Sequence, residues 1–144
     1  MSIVYCKPLL FTDDKGNSGI KPKFMTKFAA CADVAIPYDI TIKPGETCKF
    51  DLLLGFDIPC EYKVVMYPRS SLLIKHGLLS PTSIIDADYS GQHVHWPVIN
   101  VGKEEVTLEK GTRVCQIEIQ SCNKVVEWDR ADTERTGGFG STGK

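Results

Sequence analysis

Five stretches carry side chains that could act on an anionic ligand. In "YPRSSLLIKHG", Arg69, Ser70 and Ser71 stand between a strand-like run and a short helical one. Backbone N–H groups at a helix start favour an anion, and an arginine forks onto phosphate oxygens. The same residues could equally be a helix cap beside a surface arginine. In "SIIDADYSG", Asp86 and Asp88 emerge from an apolar run. One could serve as a general base, or both could shape an Asx-type turn; Tyr89 could be core or a stacking ring. Asp33 is the one acid in "AACADVAIP", where a turn hydrogen bond is its ordinary use, and Gln116 lies on the polar face of "RVCQIEIQ". The last stretch, "RTGGFGSTGK", combines Arg135, Phe139, Ser141 and Thr142 with glycines. Glycines admit close backbone approach, consecutive N–H groups can form an anion-binding nest, and a phenylalanine can stack on a flat ring. Such a segment could be a disordered tail, which is compatible with a lid that closes over a ligand.

The elements that must position these residues are mostly strands. "DITIKPGETCKFDLLLGFDIP" reads as a strand, a turn at Pro44-Gly45, and a second strand running to Pro59. "EYKVVMYP" is a short strand stopped by Pro68, and "SSLLIKHG" is a two-turn helix ended by Gly77. "TSIIDADYSGQHVHWPVIN" reads as a hairpin with Asp86 to Gly91 at its tip and a β-bulge at Pro97. "RVCQIEIQ" alternates, with Cys115, Ile117 and Ile119 on one face and Gln116, Glu118 and Gln120 on the other; "KVVEWD" closes the set. Short strands, little helix and spaced turns predict an all-β, jelly-roll-like β-barrel over residues 1–134, followed by a flexible glycine-rich C-terminal arm over 135–144.

Composition narrows the partners. The 144 residues carry 17 basic and 18 acidic side chains, a net charge of −1, so no global basic field draws the chain to nucleic acid or to an anionic membrane. Any handling of a polyanion is local. The start carries no secretory pattern and no run approaches the roughly 18 apolar residues of a membrane span. The six cysteines include no C-x-x-C pair and read as reduced small hydrophobes rather than a zinc site. A cytoplasmic location is expected, with nuclear or phage origins equally compatible.

In this order, "ACADV", "PRSSL", "IIDADY", "GTRVCQ" and "GGFGSTG" resemble the five motifs of the trimeric deoxyuridine triphosphatases (dUTPases), from Ala29 to Gly143. The connecting "PGE" at Pro44 to Glu46 and the "G-x-x-IP" at Gly55 to Pro59 fit as well. The resemblance implies a homotrimer with three active sites at subunit interfaces. It implies hydrolysis of dUTP to dUMP and pyrophosphate with Mg2+ on the triphosphate, which keeps uracil out of DNA and supplies dUMP for thymidylate synthesis. Asp86 would activate the water that attacks the α-phosphorus. Arg69, Ser70 and Ser71 would hold phosphates, and Gln116 would lie near the α-phosphate and the water. Asp33 would reach the metal through water. Tyr89 would pack on the deoxyribose and exclude a 2′-hydroxyl. The backbone of Ser83, Ile84 and Ile85, with the returning arm at Val94, would pair with uracil. From the arm, Arg135 would reach the γ-phosphate, Phe139 would cap uracil, and Gly140, Ser141 and Thr142 would wrap the phosphates, on another subunit's site.

Four departures from the family pattern stand out. Cys31 replaces a glycine, Ser83 replaces a glycine or alanine, the stretch 91–100 is one residue longer, and the segment from Arg135 to Phe139 is one shorter. His93 and His95, two apart, could face one way and gather near a three-fold axis as a metal or pH-sensing pair, or be ordinary polar strand residues. Two other functions compete. A dCTP deaminase would need a glutamate in the strand after the third motif, where Gly91 to Asn100 has no carboxylate. A nucleotide-gated protein-binding role could stand alone or coexist with catalysis.

Overall fold

The structure, a computed structural model, describes residues 3–122, 127–133 and 135. Its elements follow the order β1 (Lys7–Leu10), β2 (Ala32–Ala35), β3 (Ile40–Ile42), β4 (Thr47–Asp51), β5 (Leu54–Asp57), β6 (Tyr62–Pro68), α1 (Ser70–His76), β7 (Leu78–Leu79), β8 (Ser83–Ile85), a 3-10 turn (Ala87–Tyr89), β9 (His95–Asn100), β10 (Val106–Leu108) and β11 (Arg113–Ser121). The strands form a four-stranded sheet β2-β11-β6-β8, a three-stranded sheet β4-β9-β7, and the pairs β1-β5 and β10-β3. Alternating residues of these sheets meet in one core, with Val34, Ile36, Leu54, Met66, Trp96 and Val114 all fully buried. No helix of the described residues is long and apolar enough to cross a membrane.

Local signals hold where the reading was local. The helix covers Ser70–His76, and Gly77 ends it in the left-handed region (φ 68°), where its N–H caps the Leu73 carbonyl. Cys31 needs no glycine, because Leu53 is the only non-glycine residue at positive φ among the described residues.

The chain departs from the expected elements at four places. The strand expected from the Pro44-Gly45 turn to Pro59 breaks at Leu52-Leu53 into β4 and β5, which join different sheets. Leu53 takes φ 51°, and the Asp51 carboxylate accepts its N–H at 2.8 Å, so a side chain drives a turn that no glycine announces. The expected hairpin does not form. β8 pairs with β6, whereas β9 pairs with β4 and β7. Between them the 3-10 turn and Ser90 redirect the chain: the Ser90 hydroxyl donates to the Ala87 carbonyl (2.6 Å) and accepts the Ile58 N–H (2.9 Å). The expected bulge at Pro97 is likewise absent, and the β4–β9 register runs unshifted through Lys49↔Pro97. Asn100 and Val94 turn their N–H groups to one side, so alternation turns the Pro97 nitrogen to the other, past the end of β7 at Leu79. The register shift lies instead between Arg113 and Cys115, where β11 meets β2. Of the expected last strand, residues 124–126 lie outside the described residues, and Glu127 to Asp129 form no strand.

Asn100 is fully buried. Its Nδ2 donates to the Ile42 (3.0 Å) and Glu104 (2.8 Å) carbonyls, and its Oδ1 accepts the Gly102 N–H (2.9 Å). Asn100→Ala leaves those three backbone groups without partners and is expected to lower unfolding free energy by about 3 kcal/mol, read by urea denaturation.

Candidate active site

Three neighbouring strands bring the phosphate-type residues together. In register, Gln116 of β11 stands opposite Asp33 of β2 on one side and Tyr67 of β6 on the other. Asp33 is fixed by backbone bonds to Lys23 in both directions (2.8 and 3.1 Å). The Gln116 Nε2 donates to the Pro68 carbonyl (3.3 Å), just before Arg69, Ser70 and Ser71 open α1. Arg69 occupies the N-cap position with extended backbone and makes no side-chain cap bond. Its guanidinium turns instead to the Arg113 carbonyl (2.9 Å), while Arg113 donates to the Asp33 carboxylate at 3.1 Å. Arg113 was not singled out in the sequence. The signal was its place in "GTRVCQ", three residues before Gln116 and across the register shift at Arg113/Cys115, but only its hydrogen bonds show that it links Asp33 to Arg69. On the same face the Tyr67 hydroxyl donates to Glu118 (2.6 Å); that bond holds the Glu118 carboxyl below its ordinary range and pushes the Tyr67 phenol up.

β8 lies at the sheet edge beyond β6, with Ser83 opposite Met66 and Ile85 opposite Val64. Ile85 is buried and Ile84 exposed. The second partner edge of β8 is unpaired among the described residues, so its backbone faces outward as a template.

Asp86 follows β8 with extended backbone and makes no cap bond to the 3-10 turn. Its Oδ2 meets Arg135 Nη2 at 2.6 Å, and Asp88 Oδ1 meets Arg135 Nε at 3.1 Å. The carboxylates raise the Arg135 guanidinium further above its ordinary value, the Asp88 hydrogen bond most. Ile58, Cys60, Tyr62, Asp86, Cys122 and Arg130 line a cavity of about 520 Å3 beside the carboxylates. Tyr89 is buried, and its hydroxyl donates to the His93 carbonyl at 2.6 Å; burial, then the charge of Asp51, pushes its phenol up.

Val94, expected beside uracil, has its backbone engaged within the chain. It is fully buried, its N–H donates to Leu54 (2.7 Å), and its carbonyl accepts the Leu52 N–H (3.0 Å). Arg135, expected at a γ-phosphate, here lies on its own chain's Asp86 and Asp88. Phe139, Gly140, Ser141 and Thr142 lie outside the described residues.

Asp86 comes one residue after the Ile85↔Val64 pair, whereas Gln116 stands opposite Tyr67. Four residues of β6 separate these levels, about 13 Å along the strand. The two groups of candidate residues therefore lie at different levels of one sheet.

The family model for dUTPases matches residues 18–143. The chain belongs to the dUTPase family. A deoxyuridine 5'-triphosphate nucleotidohydrolase of Rickettsia felis is 36% identical over 135 residues, covering 88% of this chain and 90% of that protein. One from Nautilia profundicola is 39% identical over 129 residues, covering 85% and 90%. Among solved structures, a dUTPase from phage phi11 of S. aureus, described with a coordinated structural Mg(II) ion, superposes with a TM-score of 0.75 at 16% identity over 90% of this chain and 97% of its own. A dUTPase from Streptococcus mutans gives 0.74 at 23% over 83% and 98%. The all-β, jelly-roll-like fold is shared with these dUTPases, its ladders arranged here as separate sheets.

The Asp33–Gln116 pairing makes a charge test available in this dUTPase. Gln116→Glu keeps the side chain's size, removes the donor to Pro68, and sets a carboxylate opposite Asp33. Like charges directly opposed on a sheet repel, and the added charge opposes a triphosphate. The expected outcome is a KM for dUTP raised by about tenfold or more, with a folded trace by circular dichroism.

Proposed function

We propose that this chain, a dUTP diphosphatase by family, cleaves dUTP in sites that are completed only where copies of the chain meet. The observation that carries this reading is the separation within one chain of the Asp33–Arg113–Arg69–Gln116 group from Asp86 and Tyr89. A homotrimer sets the first group of one copy against the second group of another.

In the completed site the Asp86 carboxylate takes a proton from water as the water oxygen bonds to the α-phosphorus. The bond from that phosphorus to the bridging oxygen breaks, pyrophosphate leaves and dUMP remains. Arg69, Ser70 and Ser71 hold the phosphates, and Gln116 orients the water. Their work is positioning and charge neutralisation rather than covalent chemistry. Tyr89 walls the deoxyribose. Uracil pairs with the open edge of β8 at Ser83, Ile84 and Ile85, in the manner of an added strand; the engaged backbone of Val94 supports confining base recognition to that edge. The arm from Arg135 onward closes over the site, with Phe139 on uracil and Gly140, Ser141 and Thr142 around the phosphates. Arg135 Nη2 occupies the Oδ2 of Asp86 in the resting chain, so movement of Arg135 toward substrate would free that oxygen.

The residues fit a Mg2+ that arrives with the substrate. Among the described residues no group of three metal-ligating side chains exists, and one carboxylate, Asp33, lies beside the phosphate-type residues. Magnesium is commonly held by one or two carboxylates plus substrate phosphates, keeping several waters, and Asp33 would hold one of those waters. Bound there, the ion supplies neutralisation of triphosphate charge.

Purified protein with magnesium is offered dUTP, dTTP, dCTP and UTP separately and pyrophosphate release is followed. Release is expected from dUTP, and Asp86→Asn is expected to reduce it by about 10^3-fold or more. Absence of release from dUTP, or an Asp86→Asn variant as active as the parent, would contradict the reading.

A further inference from the structure

The longer stretch after Tyr89 contains a side chain held more firmly than any surface strand residue needs to be. The His93 Nδ1 meets the Asp51 carboxylate at 2.8 Å. Its imidazole stacks on the Phe11 ring with centroids 3.9 Å apart and planes 11° from parallel. Asp51 is itself fixed: its other oxygen accepts the Leu53 N–H (2.8 Å) and its carbonyl accepts the Tyr38 hydroxyl (2.7 Å). Phe11 arrives through the β1–β5 ladder, where Leu9 stands opposite Gly55, and its N–H donates to the Leu53 carbonyl. Gly55 has no side chain to spare room for: a Cβ there would come within 2.6 Å of the Gln92 carbonyl and 3.0 Å of the Phe11 ring. The sheet is thus shaped to admit Phe11 and the turn at 92–93 together.

What this clamp holds is the His93 peptide. Its carbonyl accepts the Tyr89 hydroxyl at 2.6 Å and faces His95 Nδ1 at 3.2 Å. That carbonyl fixes the Tyr89 hydroxyl and with it χ1, because the hydroxyl lies on the axis from Cβ through the ring; rotation about that axis is limited by the ring's burial.

We propose that His93 is a positioning and specificity-determining residue: clamped between Asp51 and Phe11, it fixes the Tyr89 ring and with it the rejection of ribonucleotides. The inference rests on the reading above that Tyr89 faces the deoxyribose. It needs no contact between His93 and substrate. A wall that rejects one added hydroxyl acts by sub-ångström fit, so a ring free to swing about χ1 admits the 2′-hydroxyl and grips the deoxyribose less well.

The test measures kcat and KM for dUTP and for UTP, with a melting curve, in His93→Ala, His93→Asn, Asp51→Asn, Tyr89→Phe and Tyr89→Leu. His93→Ala is expected to narrow the dUTP-to-UTP ratio of kcat/KM by about tenfold, mainly through a higher KM for dUTP. Tyr89→Phe, which keeps the ring and loses its anchor, is expected to do the same. His93→Asn retains a donor for Asp51 and is expected to recover part of the ratio. The His93→Ala, Asp51→Asn double variant is expected to be no worse than its worse parent, because both remove one interaction. A ratio unchanged in His93→Ala and Tyr89→Phe, with both nucleotides losing activity in parallel, would overturn the proposal and leave a purely structural clamp. A ratio unchanged in folded Tyr89→Leu would overturn the placement of Tyr89 against the sugar, and the proposal with it.

Discussion

The ladder between β6 and β11 is the constraint on which the site depends. It pairs residues continuously from Cys115↔Pro68 to Ser121↔Tyr62. β2 is laid on its far side and β8 on its near side, so four of the candidate motifs take their places from one register. A slip of a single residue would exchange faces, turning Gln116 into the core and Ile117 out to solvent. The apolar face resists that slip: Val64, Met66, Cys115 and Ile117 are all buried, and burial pushes the Cys115 thiol well above its ordinary pKa. Packing on one side of the sheet thereby fixes the spacing of polar groups on the other.

Charge is arranged by the same frame. The chain as a whole is nearly neutral, so the proposed hold on a triphosphate falls to a few local groups, arginines among them. Without ligand, each of these has a resting partner. Arg113 lies on Asp33, Arg135 on Asp86 and Asp88, and Arg69 on a carbonyl. These contacts are partly solvated and individually weak, which suits groups proposed to exchange partners when phosphate arrives. The carboxylate proposed as base and the carboxylate proposed to serve the metal are both kept paired until then.

Much of the frame was legible in the sequence where the signal was local. The alternation of "RVCQIEIQ" gave a strand with the correct face, and Gly77 marked the helix end. The misreadings were all non-local. Nothing in "DLLLG" announces that Asp51 will turn the chain at Leu53, since the turn is made by a side chain and by Phe11 pairing from far upstream. "SIIDADYSGQHVHW" carries every local mark of a hairpin, yet its two strands find partners in different sheets. In that arrangement the Val94 backbone is engaged by Leu52 and Leu54. Asp33 and Gln116 looked ordinary in isolation and become a row only through cross-strand register, and hydrogen bonds across the strands add Arg113. The order of the five motifs, by contrast, pointed to the family without any structure.

Each proposed site takes Asp86 from one copy and Arg69 with Gln116 from another. Subunit mixing tests this directly. Asp86→Asn and Arg69→Ala proteins, each inactive alone, are denatured together in equal amounts, refolded and assayed for pyrophosphate release from dUTP. In a trimer with shared sites, every mixed assembly regains one intact site in three, so about a quarter of the parental activity returns. If both residues of a site came from the same chain, no mixture could rebuild one, and activity would stay at the level of the separate variants.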